Sequence, residues 1–288
     1  MKLTIIKIGG SVITHKNSNV PSINVENIKI IASQLRILNT RRNEQFIIIH
    51  GVGSFGHPIV KATGIHEGIR KPEQIFAFAQ TQKLQNQLNC QIVEALQDVG
   101  LPVFPMQISD NVVMENGRIA DFNLDAVKGL LELGLIPIGF GVPAYDRISG
   151  CSILSGDQSA PYLALKLKAD RIIVAGDVPG IFTHDPKINQ NAKLIKTINP
   201  LNDRRLEKSL GGSATIDVTG GMKQKYLELA NAARAGIPSR IVMFTQLDEA
   251  LRGEHVGTEI CAVKRLQADK IEPAVIIADS KDYIEPIE

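Results

Sequence analysis

A chain of 288 residues, 44% hydrophobic and 22% charged, is long enough for one large domain or two ordinary ones with a sizeable core. Its 32 basic residues against 30 acidic ones leave a net charge of +2. No run of five basic residues occurs, so the sequence carries no nucleic-acid footprint. No apolar run approaches the ~20 residues of a membrane span, and the start lacks a signal-peptide pattern, so a cytoplasmic protein is expected. Cys90, Cys151 and Cys261 stand far apart, with neither a metal spacing nor a disulfide framework, which fits a reducing compartment and no metal site of protein ligands.

The first apolar run, Leu3 to Ile8, predicts a buried strand that ends in the turn Gly9-Gly10-Ser11. A polar loop covers 14–20. Pro21-Ser22 then opens a helix with Val25, Ile28, Ile31, Leu35 and Leu38 on one face. Phe46 to Ile49 predicts a second strand, followed by His50-Gly51-Val52-Gly53-Ser54-Phe55-Gly56-His57. Pro72 starts a long helix that Gly100 stops, and Pro102 to Pro105 is a short strand. Asn116-Gly117 joins two short strands as a hairpin, because a type I′ turn needs positive φ at both central residues. Asn123 caps a helix to Leu133, Ile136 to Gly139 is a strand, and 140–155 holds strand-like pieces. Gly156-Asp157 precedes a helix to about Lys168, and Arg171 to Ala175 is a buried strand ending at Gly176-Asp177. A helix near 200–209 leads to Gly211-Gly212-Ser213, and Thr219-Gly220-Gly221-Met222-Lys223 opens another to about Ala235. Arg240 to Phe244, a short helix at 247–252, and Gly257 to Ile260 complete the order, with one strand-like run at 274–278 in a charged tail. Alternation of strands and helices predicts parallel βαβ units in an α/β sandwich. The chain reads as one continuous fold whose halves, split near residue 170, form two lobes.

Glycine turns close several of these strands, at Gly9-Gly10, Gly51 to Gly56, Gly139 to Gly141 and Gly176. In an open parallel sheet such turns gather at the carboxyl ends of the strands, where ligands bind. Glycines there bring backbone N–H groups against an anion, usually a phosphate. Lys7, Lys16 and Lys223 lie beside three of the glycine segments, and phosphoryl transfer needs positioning and positive charge more than covalent chemistry. Taken singly, each feature has a plainer reading. Lys7 is then a surface lysine, His57 a capping histidine, and Asp157 and Asp177 helix or turn caps. Lys223 at a helix start opposes the helix dipole unless an anion binds there.

No G-x-x-x-x-G-K-[ST] is present, nor H-R-D or D-F-G, which excludes P-loop and protein kinases. Gly51 to Gly56 spells G-x-G-x-x-G, but Glu73, at the spacing a dinucleotide fold requires, falls in a predicted helix rather than at a strand tip.

Lys7-Ile8-Gly9-Gly10-Ser11, His50 to Pro58, Leu154-Ser155-Gly156-Asp157, Ile216 to Lys223 and Gly257-Thr258-Glu259-Ile260 together resemble the amino acid kinase superfamily, and within it the isopentenyl phosphate kinases. The resemblance spans about 1–260. It implies a three-layer αβα sandwich with a mainly parallel central sheet over 1–263, an acceptor-binding lobe about 1–170, a nucleotide-binding lobe about 171–263, and a C-terminal extension 264–288. It implies Mg2+ and ATP as cofactors, a homodimer, and no partner beyond a small phosphate acceptor. Carried over by motif, Lys7, Gly9, Gly10 and Ser11 hold the ATP phosphates, and Lys16 stabilises the transferring group. Gly53 lines the phosphate channel, His57 holds the acceptor's phosphate, Gly156 lies near the acceptor and Asp177 near the nucleotide. Gly220 and Lys223 close on the ATP phosphates.

The implied activity is transfer of the ATP γ-phosphoryl group to a phosphate monoester, isopentenyl phosphate, giving a diphosphate. The alternatives are a fosfomycin-type kinase or another small phosphate or phosphonate kinase, and a non-catalytic nucleotide sensor on the same fold. Val52 replaces a glycine of the family's loop, so a Cβ is expected to restrict that backbone and crowd the acceptor phosphate. Gly141-Val142-Pro143-Ala144, Gln158 and Pro179 are further departures near the two pockets.

Overall fold

The computed structural model describes residues 1–15, 20–41, 43–184, 186, 189–202 and 221–262. Lys16, Gly220, the helix expected near 200–209 beyond residue 202, Gly211-Gly212-Ser213 and the tail with its strand-like run lie outside the described residues.

Twelve strands are described: β1 (Lys2–Ile8), β2 (Glu44–His50), β3 (Val103–Pro105), β4 (Val112–Glu115), β5 (Arg118–Phe122), β6 (Ile136–Phe140), β7 (Val142–Ala144), β8 (Ser152–Leu154), β9 (Arg171–Gly176), β10 (Thr197–Ile198), β11 (Ser239–Met243) and β12 (Thr258–Ile260). The helices are α1 (Gly10–Ile13), α2 (Val25–Leu35), α3 (His57–Thr63), α4 (Pro72–Asp98), α5 (Asp125–Glu132), α6 (Gly156–Leu167), α7 (Gly221–Arg234) and α8 (Leu247–Arg252). Eight strands form one sheet in the order β10-β12-β11-β9-β1-β2-β6-β3. All its pairs are parallel except β11 with β12. β1 is the pivot: strands from residues before 141 lie on one side of it and strands from residues after 170 on the other.

Period-two alternation divides the apolar residues of these strands between two cores. Leu3 and Ile5 of β1 and Ile47 and Ile49 of β2 pack with Val127, Leu163, Leu229 and Ala233 from α5, α6 and α7. Ile6, Ile8 and Ile48 pack with Ile31, Leu35, Leu88, Ile92 and Leu251 from α2, α4 and α8. Helices thus cover both faces, as the three-layer sandwich requires. Lys7 shares the face of Leu3 and Ile5, so its side chain belongs to the α6 and α7 side.

Local chemistry sets the boundaries. α4 starts at Pro72, and Gln74 Oε1 accepts the N–H of Arg70 at 2.6 Å and of Lys71 at 3.0 Å. It stops where Gly100 takes φ 84° and Leu101 donates back to the Leu96 carbonyl. The hairpin β4–β5 turns at Asn116 and Gly117 with φ of 50° and 74°. Two expectations shift. Pro21-Ser22 does not begin α2, because Asn24 caps it by accepting from Asn27 N. The turn at Gly9 feeds directly into the single-turn α1.

Candidate active site

β1 and β2 end side by side, and the segments that follow them cross backbone to backbone. Gly51 N donates to the Ile8 carbonyl at 2.8 Å, and Gly9 N to the Ala175 carbonyl at 2.8 Å. A Cβ on Gly10 would stand 2.5 Å from Gly53 N, and one on Gly51 would stand 2.5 Å from Gly10 N. Only hydrogen side chains permit that approach. Gly53 is doubly bound to its identity, with φ 45° and with its Cβ position overlapping Thr14 Oγ1. Thr14 pins the crossing, donating its hydroxyl to Gly10 O at 2.9 Å and accepting Ser54 N at 3.1 Å. Val52 corrects an expectation. Its φ of −114° and ψ of −14° are open to any residue, so its Cβ brings no backbone strain. Its Cγ2 stands 2.5 Å from where a Cβ on Gly56 would lie, next to Gln85 Nε2.

Beneath the crossing lies a charge cluster. Lys7, at the end of β1, reaches Asp157 Oδ1 at 2.8 Å. Lys225, from α7, reaches the same oxygen at 2.7 Å. Their side chains are only 7%, 16% and 17% exposed for Lys7, Asp157 and Lys225. α6 places Asp157 because Ser155 caps it, accepting Gln158 N at 3.2 Å. Gly156 lets that helix start lie against β1 and β2: a Cβ there would be 3.3 Å from Ile49 and 3.5 Å from Lys7 Cε. Burial opposes the charge on Asp157, but the two ammonium groups outweigh it and hold the carboxyl well below the usual range. Burial and the neighbouring Lys7 ammonium push Lys225 down to about 8, against the pull of Asp157. The three groups sum to one positive charge in a site with little water, which suits an anion better than it suits the bare protein.

His50 was not singled out by sequence as a functional residue. It is fully buried, with Nε2 3.0 Å from Asn89 Oδ1, Nδ1 2.8 Å from Gly51 O, and its ring stacked on Phe140. Burial lowers its pKa, so it is a neutral anchor for the loop. His57 opens α3, half-buried, immediately after the crossing. Ser11 lies in α1 beside Gly10, and Asp177 is exposed just past the end of β9. Lys223 sits two residues before Lys225, about 200° around the helix, and is not one of the three clustered groups. Sequence reading therefore missed Asp157 and Lys225 as a pair with Lys7. The signal was present in helical spacing: Met222, Lys225, Tyr226 and Leu229 share one face, of which Tyr226 and Leu229 are core. A lysine on such a face needs a buried partner.

Residues 2–243 match the amino acid kinase family. The chain is 36% identical over 268 residues to an isopentenyl phosphate kinase of Methanothermobacter thermautotrophicus, covering 90% of this chain and 98% of that one. It is 30% identical to an isopentenyl phosphate kinase of Arabidopsis thaliana, covering 87% and 90% of the two chains. A solved isopentenyl phosphate kinase structure superposes with a TM-score of 0.78 at 32% identity, over 90% of this chain and 99% of that one. The family match over most of the chain and the likeness of its sandwich to that solved structure agree, and the chain belongs to the amino acid kinase family.

Proposed function

We propose that this chain is a phosphotransferase that moves the γ-phosphoryl group of ATP onto the phosphate of a small monoester, isopentenyl phosphate, giving the diphosphate. The observation that carries the reading is the Lys7–Asp157–Lys225 cluster beneath the crossing of Gly10 with Gly51 and Gly53. The two named relatives and the solved structure, all isopentenyl phosphate kinases aligned over at least 87% of this chain, support the acceptor.

The chemistry follows from charge. A phosphate monoester is already largely ionised at neutral pH, its second pKa being about 6, so it attacks without a general base. What it needs is a place beside ATP where negative charge is tolerated. Lys7 and Lys225 supply that charge, and Asp157 fixes both ammonium groups before substrate arrives, so little reorganisation remains at the moment of transfer. In our reading His57 donates to the acceptor phosphate, with Gly53 and Gly156 lining its side, while Val52 supports the loop from behind. Gly9, Gly10, Ser11, Lys223 and Asp177 serve the nucleotide, as do Lys16 and Gly220 beyond the described residues. Acceptor and nucleotide then occupy the two sides of β1, about 1–170 and 171–263. Among the described residues no three His, Cys, Asp or Glu side chains group as a metal site, and Asp157 is committed to two lysines. A magnesium ion therefore fits as one carried on the nucleotide phosphates, where it would neutralise their oxygens. No described helix is long and apolar enough to cross a membrane; we place the chain in the cytoplasm, as a homodimer.

The test is an acceptor-dependent ATP-turnover assay with isopentenyl phosphate, dimethylallyl phosphate and fosfomycin. Turnover with the alkyl phosphates is expected. Replacing His57 with alanine should raise the acceptor KM at least tenfold and leave the ATP KM within twofold. Turnover with none of the three, or equal effects on both KM values, overturns the reading.

A further inference from the structure

The hairpin β4–β5 lies on the α6 and α7 side of the sheet and takes no part in the central sheet's pairing. Its turn is held rigidly. Asp146, fully buried, accepts the N–H groups of Asn116 at 3.3 Å, Gly117 at 2.8 Å, Ile148 at 2.9 Å and Ser149 at 3.1 Å. Burial alone would raise its pKa, but the N–H bonds hold the carboxyl well below the usual range, so this anchor stays charged. From that fixed turn two contacts run to the helices of the charge cluster. Gln158, the neighbour of Asp157 on α6, donates Nε2 to Gly117 O at 3.1 Å. Arg118 grips Glu228 of α7 with both guanidinium nitrogens, the second bond at 3.2 Å. Glu228 lies one turn beyond Lys225, and it also accepts Gln224 Nε2 at 3.0 Å from the residue before Lys225. The Glu228 side chain is 8% exposed and that of Arg118 58%, so the pair places a desolvated carboxylate under an accessible fork.

That arrangement answers a mechanical problem. Two ammonium groups share one oxygen of Asp157, so burial of Lys225 and its repulsion from Lys7 work against the attraction that holds it there. We propose that the hairpin tip, through Arg118 on Glu228 and Gln158 on Gly117, is a brace that holds Lys225 on Asp157, making Arg118 and Glu228 positioning residues for the transfer site. The groups that face Lys225 are Asp157 from α6 and Lys7 from β1; Glu228 shares its helix, and Arg118 meets Glu228 from the hairpin. The inference rests on the phosphotransfer reading only for its kinetic arm.

The experiment compares Arg118→Met, Arg118→Lys and Glu228→Gln in the full chain, with two readouts. The first is the titration midpoint of Lys225, followed by the pH dependence of its labelling with an amine-reactive probe, which needs no turnover. In Arg118→Met the midpoint should rise from about 8 toward the ordinary lysine range, because an unbraced α7 restores water to Lys225 and distance from Lys7. The second is kinetics: kcat should fall roughly ten- to hundredfold, as for a misplaced catalytic group, with the acceptor KM within twofold. Arg118→Lys, which keeps the charge and loses the fork, should fall between, and Glu228→Gln should move both readouts in the same direction. An unchanged midpoint in Arg118→Met and Glu228→Gln, whether or not thermal stability drops, overturns the brace. If no monophosphate is turned over while the midpoint still moves, the acceptor reading fails and the brace stands.

Discussion

The two halves of the site are built by different physics. The glycine crossing is steric: its geometry exists because Gly10, Gly51 and Gly53 have no Cβ, and Thr14 and Ser54 only pin what the backbones already do. The charge cluster is electrostatic: Lys7, Asp157 and Lys225 come from β1, α6 and α7 and are held by attraction around one carboxylate oxygen. A steric site tolerates changes of pH and salt but no added atom. An electrostatic one tolerates changes of shape but no loss of charge.

The largest effect that separates them should come from Asp157→Asn. It leaves two ammonium groups facing each other, and breaking such a largely buried pair costs about 3–5 kcal/mol, on top of a roughly 10²–10³-fold fall in kcat. Chemical denaturation together with steady-state kinetics would show both; a folded variant with near-normal kcat would mean that the cluster is not the transfer site. Next in size, Lys225→Met should lower kcat roughly 10²–10³-fold while Lys223→Met changes it by less than about tenfold. Reversal of that order would return the role to Lys223. Gly53→Ala addresses the steric half. A left-handed φ costs about 1–2 kcal/mol and overpacking about 1–3 kcal/mol more, so the melting temperature should drop by roughly 5–15 °C. The drop should not depend on ionic strength, and a salt-dependent drop would blur the distinction.

The smallest effect is in pH dependence. Lys225 has a folded pKa of about 8 against an ordinary 10.5, so between those values the unfolded chain binds more protons and stability contributed by this group rises with pH. Activity moves the other way if Lys225 acts in transfer as proposed, in its charged form: kcat/KM for ATP should then decline above about pH 8. Bound nucleotide would raise the Lys225 pKa, so the decline in kcat should lie at higher pH than the decline in kcat/KM. Parallel profiles would remove Lys225 from contact with the nucleotide. Asp157, depressed instead, contributes stability that is present above the ordinary carboxylate range and lost as pH falls toward its folded value.

Much of this was legible in the chain itself. The short apolar runs Leu3 to Ile8 and Phe46 to Ile49 marked buried strands, Pro72 and Gly100 bounded the long helix, and Asn116-Gly117 marked the hairpin, because these depend on local backbone preference and on the length of apolar runs. The glycines at strand ends likewise marked where the segments after β1 and β2 cross backbone to backbone. Three things were decided only by tertiary structure. Val52 was expected to strain the loop because its neighbours are glycines, whereas its own φ is negative. Lys225 lay hidden behind Lys223, since choosing between two lysines two positions apart needs the face of α7 that meets α6. Arg118 and Glu228, 110 residues apart, have no relation in sequence. Local geometry is written in neighbouring residues, but the pairing of charges across elements depends on where the sheet places its helices, and that placement is a sum over the whole core.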